Sequence, residues 1–374
     1  MNSTQLEVTD NTVFKTSEVC IQFFSLRHMF YIHQSTCISA QQTYADIDLE
    51  KLNPSVDNRL VAIEPAYQGI SPGLIRRMGK AVRMGVGSAL PLLKENKVDG
   101  IIIGTANGGI EDSLKFLSQI MEYEEGTLTP THFVQSTYNA IAGQLGMISK
   151  NTGYNSTHVQ RGHAFEGAVL DAALMLRENP ANTYLVGGVD EISERNHRME
   201  GMDGWYKTSA IESKDLYTGN TPGTLPGEGA AMFLVNNTAD GAVAKLSALR
   251  MLNTESEALV ATQFSKFLAD NNLSVADIDL YVSGENGDNR LNKYYNAVEQ
   301  QLDSNTSTAH YKHAIGEFQT STAIATWLIC QMLKAQHVPQ HFIKQQGKNT
   351  ALKNVVLYNN YKGTEHSFIL LQGV

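Results

Sequence analysis

The stretch "GYNSTHVQRGHAFEGAVLDAA", residues 153–173, decides the interpretation of this sequence. It begins with a glycine turn, continues through polar and β-favouring residues, and ends in a helical pattern of small and apolar residues. The pattern predicts a strand that meets a helix at a sharp bend, which is where many α/β enzymes hold a nucleophile. The bend contains Gln160, Arg161, Gly162 and His163, with no Ser or Cys at its apex. An elbow without a nucleophile needs another role.

Strand and helix patterns alternate on both sides of this elbow. Short apolar runs bounded by turn residues predict strands at 29–39, 100–106, 183–189, 230–235, 278–284, 354–359 and 365–371. Helical patterns lie between them, at 109–123, 136–148, 163–178, 256–269, 290–303 and 318–335. The alternation predicts a layered α/β architecture with a largely parallel sheet. A turn cluster at 236–241 is the expected junction between two halves.

The composition limits which classes of protein and which binding partners fit this sequence. The chain has 374 residues, 42% of them hydrophobic, and a net charge of −9 with no block of Lys or Arg. The length predicts two domains or one double-sized α/β unit, and the charge argues against nucleic acid or an anionic membrane as partner. Cys20, Cys37 and Cys330 are odd in number and scattered, which argues against a disulfide framework or a zinc site and fits the cytoplasm.

The first 28 residues differ in character from the rest of the chain. They are polar and mixed, and they have no basic start followed by an apolar stretch, so they do not form a signal-peptide pattern. We expect residues 1–28 to be an N-terminal extension ahead of the first core strand. Two origins stay open, an appendage from an upstream start codon or an ordinary arm packed on the body.

The glycine-rich turns match no cofactor or metal motif. "GTANGG" (104–109) lacks the spacing of a dinucleotide-binding fingerprint, and no Walker-type phosphate loop occurs. "GENGD" (284–288) does not have the spacing of a calcium-binding EF-hand and is typical of a turn. The sequence therefore predicts no metal and no bound nucleotide cofactor.

Six phrases, in order, resemble the thiolase-fold β-ketoacyl-acyl-carrier-protein synthases. They are "IIIGTANGG" (101–109), "TLTPTHFVQSTYNAIAGQLGMISKNTGYN" (127–155), "YLVGGVDEIS" (184–193), "LPGEGAAMFLV" (225–235), "YKHAIGEFQTSTAIA" (311–325) and "YKGTEHSFILL" (361–371). The likeness spans residues 29–374. It implies a five-layered α-β-α-β-α fold of two duplicated halves, 29–236 and 237–374, with mostly parallel mixed sheets. It also implies a dimer whose interface lies near residues 127–160.

The resemblance identifies the positions that carry the chemistry of that family. A thiolate at a helix N-terminus holds the acyl chain, two His side chains stabilise the enolate, and a Lys organises the second His. Counted from Gly153, the nucleophile position falls on Gly162, and the two His positions fall on Ser283 and Glu317; Lys312 is retained. Glycine cannot be acylated, and an ionised glutamate would repel an enolate, so we expect no condensation by the family's route.

Other residues are candidates for the pocket around this elbow. They are Gln160, Arg161, His163, Phe165, the gate residue Tyr361, and Glu365 in place of the family's Asn. In chain-length factors, the inactive partners of polyketide ketosynthases, a Gln replaces the reactive Cys. Gln160 stands two residues before that position, so either a small insertion realigns it or the likeness is accidental. Arg161 suits a carboxylate or a phosphate but also a surface ion pair. His163 and His313 are possible substitutes for the lost pair, or simply polar side chains beside loops.

Two functions follow from these replacements. The first is a non-condensing, chain-length-factor-like subunit that pairs with an active ketosynthase in fatty-acid, polyketide or aryl-polyene and flexirubin-type pigment biosynthesis. Its partners would be an acyl carrier protein with its phosphopantetheine arm and a ketosynthase, or a second copy of itself. Phe133, Tyr138 and Phe165 are then candidates to limit chain growth, or core residues. The alternative is an enzyme with altered acyl-transfer or hydrolytic chemistry that uses His163, Ser283 or Glu317.

Overall fold

The computed structural model describes residues 23–374 apart from residues 125, 127, 129, 349 and 350. The strands are β1 (Phe23–Ile38), β2 (Gly100–Gly104), β3 (Tyr154–His158), β4 (Tyr184–Asp190), β5 (Gly229–Asn236), β6 (Ala244–Asn253), β7 (Leu280–Ser283), β8 (Ser307–His310), β9 (Ile343–Gln345), β10 (Asn354–Tyr361) and β11 (Glu365–Gly373). The helices are α1 (Pro72–Ile75), α2 (Lys80–Glu95), α3 (Ile110–Glu122), α4 (Pro130–Gln135), α5 (Ala140–Ser149), α6 (Ala164–Glu178), α7 (Glu194–Met202), α8 (Glu257–Asp270), α9 (Asn292–Glu299), α10 (Lys312–Ile315) and α11 (Ser321–Ala335).

The strand order displays an internal duplication. The strands lie side by side in the order β3-β2-β4-β5-β1-β6-β11-β10-β7-β8-β9. In the first half β2 is parallel to β3 and β4, while β5 is antiparallel to β4 and β1. In the second half β7 is parallel to β8 and β10, while β11 is antiparallel to β10 and β6. The order β3-β2-β4-β5-β1 is thus repeated as β8-β7-β10-β11-β6, and the antiparallel pair β1 and β6 joins the halves.

Two helices form the central layer between the halves. Helix α6 contacts β2 and β4 of the first half and β6 of the second, and α11 contacts β4 and β5 as well as β10 and β11. Most residues of α11 are buried, as expected for a helix covered on all sides. Helices α2 and α5 pack on the outside of the first half, and α8 packs on the outside of the second. The predicted five-layered α-β-α-β-α fold is confirmed.

The structure differs from the sequence prediction at several elements. Strand β1 begins at Phe23, because the backbone of residues 23–27 already pairs with β6, so the expected boundary at residue 28 lies inside a strand; residues 1–22 lie outside the described residues. Strands β6 and β8 were not predicted, because polar residues interrupt their apolar runs. The sheet is mixed rather than largely parallel, because antiparallel strands join the halves. The junction at 236–241 lies between β5 and β6, and the domain boundary there stays a prediction.

Among the described residues, none of the helices combines the length and the apolar character that crossing a membrane requires. The same part of the chain contains no group of three or more His, Cys, Asp or Glu side chains placed to hold a metal ion.

Candidate functional site

The elbow lies between β3 and α6, as the sequence predicts. Strand β3 ends at His158, a single turn of 3-10 helix spans Arg161–His163, and α6 begins directly after it. Arg161 has a φ of 49°, the left-handed region that side chains other than glycine rarely adopt. This local strain reverses the chain so that the backbone N–H groups at the start of α6 face β11.

Gly162 has no space for a side chain. A Cβ atom on this residue would lie 2.4 Å from Tyr361 Cβ and 2.7 Å from Glu365 Oε2. Both distances are shorter than ordinary van der Waals contact, and Tyr361 is itself buried. The position to which the resemblance assigns the nucleophile is therefore both without sulfur and closed by neighbouring atoms.

The Glu365 carboxyl group occupies the helix N-terminus instead. The Gly162 N–H donates a hydrogen bond of 2.8 Å to Glu365 Oε2, and Arg161 Nε lies 3.9 Å from Glu365 Oε1. A negative group is favoured there by the helix dipole and by the unpaired N–H groups of the first turn. Burial raises the pKa of Glu365, and Arg161 and the Gly162 N–H oppose that shift. The chain thus fills its own anion-binding position.

His163 serves as a structural donor. Its Nε2 atom donates to the His366 carbonyl oxygen at 3.0 Å, so the proton is on Nε2. Burial lowers the pKa of His163 to about 4, and the ring is neutral at pH 7. His366 behaves alike, because burial lowers its pKa to about 4 and its Nε2 donates to the Thr254 carbonyl oxygen at 3.0 Å.

Protonation of His163 is expected to lower the stability of the fold in mild acid. Its folded pKa of about 4 lies below the unfolded value of 6.5, so the unfolded chain binds more protons between those values and stability is lost as the pH falls through them. The free energy of unfolding in urea should fall between pH 7.5 and pH 5, and it should fall by about 2 kcal/mol less in His163→Gln than in the unsubstituted chain. His337 is exposed, so the control variant His337→Gln should change this loss of unfolding free energy by less than about 0.5 kcal/mol. Equal losses for His163→Gln and the unsubstituted chain would contradict this assignment.

Glu317 and Lys312 form a buried ion pair. Lys312 Nζ donates to Glu317 Oε1 at 2.6 Å and to Ser321 Oγ at 2.6 Å, and Asn286 Nδ2 donates to Glu317 Oε2 at 2.7 Å. Lys312 is fully buried; burial lowers its pKa, and Glu317 opposes that shift. Both Glu317 oxygens are therefore engaged, and the retained lysine holds a carboxylate rather than an imidazole.

Ser283 and His313 lie in separate hydrogen-bond networks. Ser283 is fully buried at the end of β7, where its Oγ accepts from the Glu285 N–H at 3.3 Å. His313 is 3.0 Å from His341 through its Nε2 and 3.4 Å from the Tyr217 hydroxyl through its Nδ1. Burial lowers the pKa of His313 to about 3, so it is a neutral structural group at pH 7.

Gln160 and Phe165 point away from the nucleophile position. Gln160 is exposed, and its side-chain oxygen lies beside Gly167 on α6. Phe165 is buried in the core, with its ring 5.8 Å from that of Phe233. Neither side chain is among the groups that close the space around Gly162.

A polar cleft opens on the other side of Tyr361. Its cavity volume is about 30 Å³, and Glu317 and Tyr361 are part of its wall. Most of its other residues were not predicted from the sequence, among them Asn107, Asn196, Glu200, Trp205, Tyr206 and Gln319. Asn107 stands in the glycine turn after β2, which the sequence pattern marks as a turn. Tyr361 thus separates this cleft from the elbow.

Side-chain amides and paired charges line this cleft. Asn196 Nδ2 donates to Asn107 Oδ1 at 3.1 Å, and Asn107 Nδ2 donates to Gln319 Oε1 at 3.2 Å. Lys362 pairs with Glu200 at 2.7 Å and lies 5.0 Å from the centre of the Trp205 ring. The cleft is therefore suited to a ligand that carries amide or hydroxyl groups.

The fold is similar to that of thiolase-like ketosynthases. Residues 54–200 match the family described as "Beta-ketoacyl synthase, N-terminal domain", which confirms the resemblance to β-ketoacyl synthases. No curated protein sequence matches the chain.

Three similar solved structures support the same fold assignment. "The ishigamide ketosynthase/chain length factor" is 13% identical with a TM-score of 0.73, and the match covers 93% of this chain and 100% of that chain. The complex of the type II polyketide synthase acyl carrier protein AntF with its ketosynthase AntDE is 12% identical with a TM-score of 0.73 and the same coverage. The ketosynthase ApeO in complex with its chain length factor ApeC, from Xenorhabdus doucetiae, is 12% identical with a TM-score of 0.71, covering 93% of this chain and 98% of that chain.

Proposed function

We propose that this protein is a non-condensing, ketosynthase-like subunit that pairs with an active β-ketoacyl synthase. The observation that carries the proposal is the closed elbow, where Tyr361 and Glu365 fill the space that an acylated side chain at residue 162 would need. Condensation also needs donors for an enolate, and the second His position holds Glu317, a carboxylate engaged by Lys312. The scaffold is retained while its reaction centre is filled, which suits a structural partner.

The edge of the sheet at β3 supports a partner interface. β3 is the first strand in the sheet order, with no strand on its outer side among the described residues, and such an edge offers unpaired backbone groups to another chain. Val159, directly after β3, is 43% exposed, and Met147 on α5, which contacts β3, is 75% exposed. Phe133 and Val134 on α4 are 61% and 68% exposed. We infer that a ketosynthase covers this surface, as two of the similar structures contain a ketosynthase with a chain length factor.

The cleft supports an acyl carrier protein as second partner. The amides of Asn107, Asn196 and Gln319 can hydrogen-bond the two amide groups of a phosphopantetheine arm. Arg195 and Arg198 are exposed on α7, which also contributes to the cleft wall, and they suit an acidic carrier. One of the similar structures is a ketosynthase in complex with its acyl carrier protein. We place the pair in the cytoplasm, in keeping with the buried, free thiols of Cys37 and Cys330.

We propose that the control of product length lies at this interface. Phe133 and Tyr138 are exposed on the surface that we assign to the partner, so they can border a shared acyl tunnel. Phe165 is a core residue and has no such part. Fatty-acid, polyketide, aryl-polyene and flexirubin-type products all fit this role.

The alternative function has no structural support of its own. No hydrogen bond joins any two of His163, Ser283 and Glu317, although all three lie among the described residues. Each is already bonded to another group, so they do not form an acid, a base and a hydroxyl in one cleft.

Co-purification with a ketosynthase that has its Cys-His-His set intact, sought first among the products of the neighbouring genes, tests the proposal. We expect a mixed dimer by light scattering and condensation of malonyl- and acyl-carrier protein only when both chains are present. Met147→Asp should abolish the mixed dimer, because it places a charge in an apolar interface. Met202→Asp is the control, since Met202 is also 75% exposed but lies on α7. Condensation by this chain alone, or a mixed dimer insensitive to Met147→Asp, would contradict the proposal.

A further inference from the structure

Three hydrogen bonds join the start of α6 to three consecutive residues of β11. The Gly162 N–H donates to Glu365 at 2.8 Å, His163 Nε2 donates to the carbonyl oxygen of residue 366 at 3.0 Å, and Ser367 Oγ donates to Glu166 Oε1 at 2.7 Å. We call this set the elbow seam. Helix α6 belongs to the first half of the duplication and β11 to the second, so the seam holds the two halves together at the elbow.

Glu166 is the member of the seam with an incomplete set of bonds. It is fully buried, one helical turn beyond Gly162, and its Oε2 atom has no hydrogen-bond partner among the described residues. The Thr322 hydroxyl on α11 lies beside it, too poorly placed to count as a hydrogen bond to Oε2 but close enough to lower the pKa of Glu166 against the larger effect of burial. A buried carboxylate with an unpaired oxygen costs more free energy than the uncharged carboxylic acid in the same place.

The charged groups around Glu166 compensate an ionised carboxylate only in part. Glu365 on β11 carries a like charge and raises the pKa of Glu166. Lys312 on α10 attracts an ionised Glu166, which raises the pKa of Lys312, but its hydrogen bonds are made to Glu317 and Ser321. The Tyr311 hydroxyl is neutral at pH 7 because its pKa is raised well above 10. Burial is the largest influence and raises the pKa of Glu166 to about 7.

We propose that the elbow seam is a pH-sensitive latch between the halves, closed while Glu166 is a carboxylic acid and loosened when it ionises. The latch is internal to this chain and needs no partner, so it goes beyond the function proposed above. Ionisation places an unpaired charge beside Glu365 in the central layer. The repulsion falls on the Gly162 contact, whose acceptor is Glu365, whereas the Ser367 hydroxyl can donate to Glu166 in either protonation state.

The direction of the pH effect follows from linkage. When the seam opens, Glu166 meets water and its pKa returns from about 7 to the ordinary 4.5, so opening releases a proton and becomes easier as the pH rises. Between pH 5.5 and pH 8.5 the opening equilibrium should increase about 30-fold.

Hydrogen exchange resolved to single amides tests the latch. Protection factors of the amides of residues 162–167 should fall about 30-fold from pH 5.5 to pH 8.5 in the unsubstituted chain. In Glu166→Gln these protection factors should stay nearly constant with pH, with the amides of α8 in the outer layer as the reference. Glu191→Gln is the matched control, because burial raises the pKa of Glu191 to about 7 as well but its Oε2 accepts from Ala81 on α2. It should leave the pH dependence at 162–167 unchanged.

Two results would overturn the latch. One is that the protection factors of residues 162–167 do not change with pH in the unsubstituted chain. The other is that they change equally with pH in Glu166→Gln. Should Glu166→Gln fail to fold, Ser367→Ala decides, since it removes the hydroxyl that lowers the pKa of Glu166. The midpoint of the loosening should then move to higher pH, and an unmoved midpoint contradicts the proposal.

Discussion

Gly162→Cys is expected to destabilise the fold rather than to restore condensation. The new Cβ would lie 2.4 Å from Tyr361 Cβ and 2.7 Å from Glu365 Oε2, so both the gate residue and the carboxyl group must move. Overpacking at a buried site of this kind costs about 3 kcal/mol or more, because neither neighbour can yield without breaking other contacts. The N–H of residue 162 would also lose its acceptor at 2.8 Å.

Urea unfolding and an acylation assay check this expectation together. Gly162→Ala should be destabilised similarly, because the clash arises at Cβ rather than at sulfur. Gly73→Ala is the control: a Cβ there meets nothing within 4 Å, so stability should change by less than about 1 kcal/mol. A stable Gly162→Cys chain that accepts an acyl group would show that the elbow is open.

Lys312→Met is expected to cost about 3–5 kcal/mol of unfolding free energy, because it leaves Glu317 buried without its cation. Burial lowers the pKa of Lys312 and the carboxylate opposes that shift, as expected for a pair that depends on both members. The double variant Lys312→Met, Glu317→Leu should recover much of the loss, because an apolar pair of similar volume needs no compensation.

A double-mutant cycle measured by urea unfolding provides the test. Lys214→Met is the control, since the Lys214–Glu212 pair is 63% exposed on both sides and solvent screening leaves it little effect on stability. A single Lys312→Met variant as stable as the unsubstituted chain would mean that Glu317 is not ionised in the fold.

The elbow was predictable from the sequence because its signals are local. A glycine turn, a short β-favouring run and a helix of small residues are adjacent along the chain, so the bend at residue 162 follows from patterns of period 2 and 3.6. The occupant of the bend was not predictable. Glu365 is about two hundred residues away, and only the duplicated sheet brings β11 beside α6.

The cleft was mostly hidden from sequence reasoning for the same reason. Asn107, Asn196 and Gln319 come from three loops or helices whose spacing in the chain has no relation to their distance in space. Single asparagines and glutamines carry no pattern, whereas apolar periodicity does. Conversely, His163 and His313 had the chemistry of catalytic residues, but burial and backbone contacts make both of them structural.

The elbow therefore has a role other than holding a nucleophile. Its helix N-terminus binds a carboxyl group from the last strand, its histidine binds the backbone of the next residue, and Glu166 binds the residue after that. In this chain the bend fastens one half of the duplicated fold to the other.

Intact-protein mass spectrometry tests the central claim most directly. The purified chain, alone and with its ketosynthase partner, is incubated with acyl- and malonyl-carrier protein and each polypeptide is weighed. We predict that the mass of this chain stays unchanged in both samples, while the partner gains the acyl group. An acyl adduct on this chain, at residue 162's neighbours or at either buried thiol, would contradict the account.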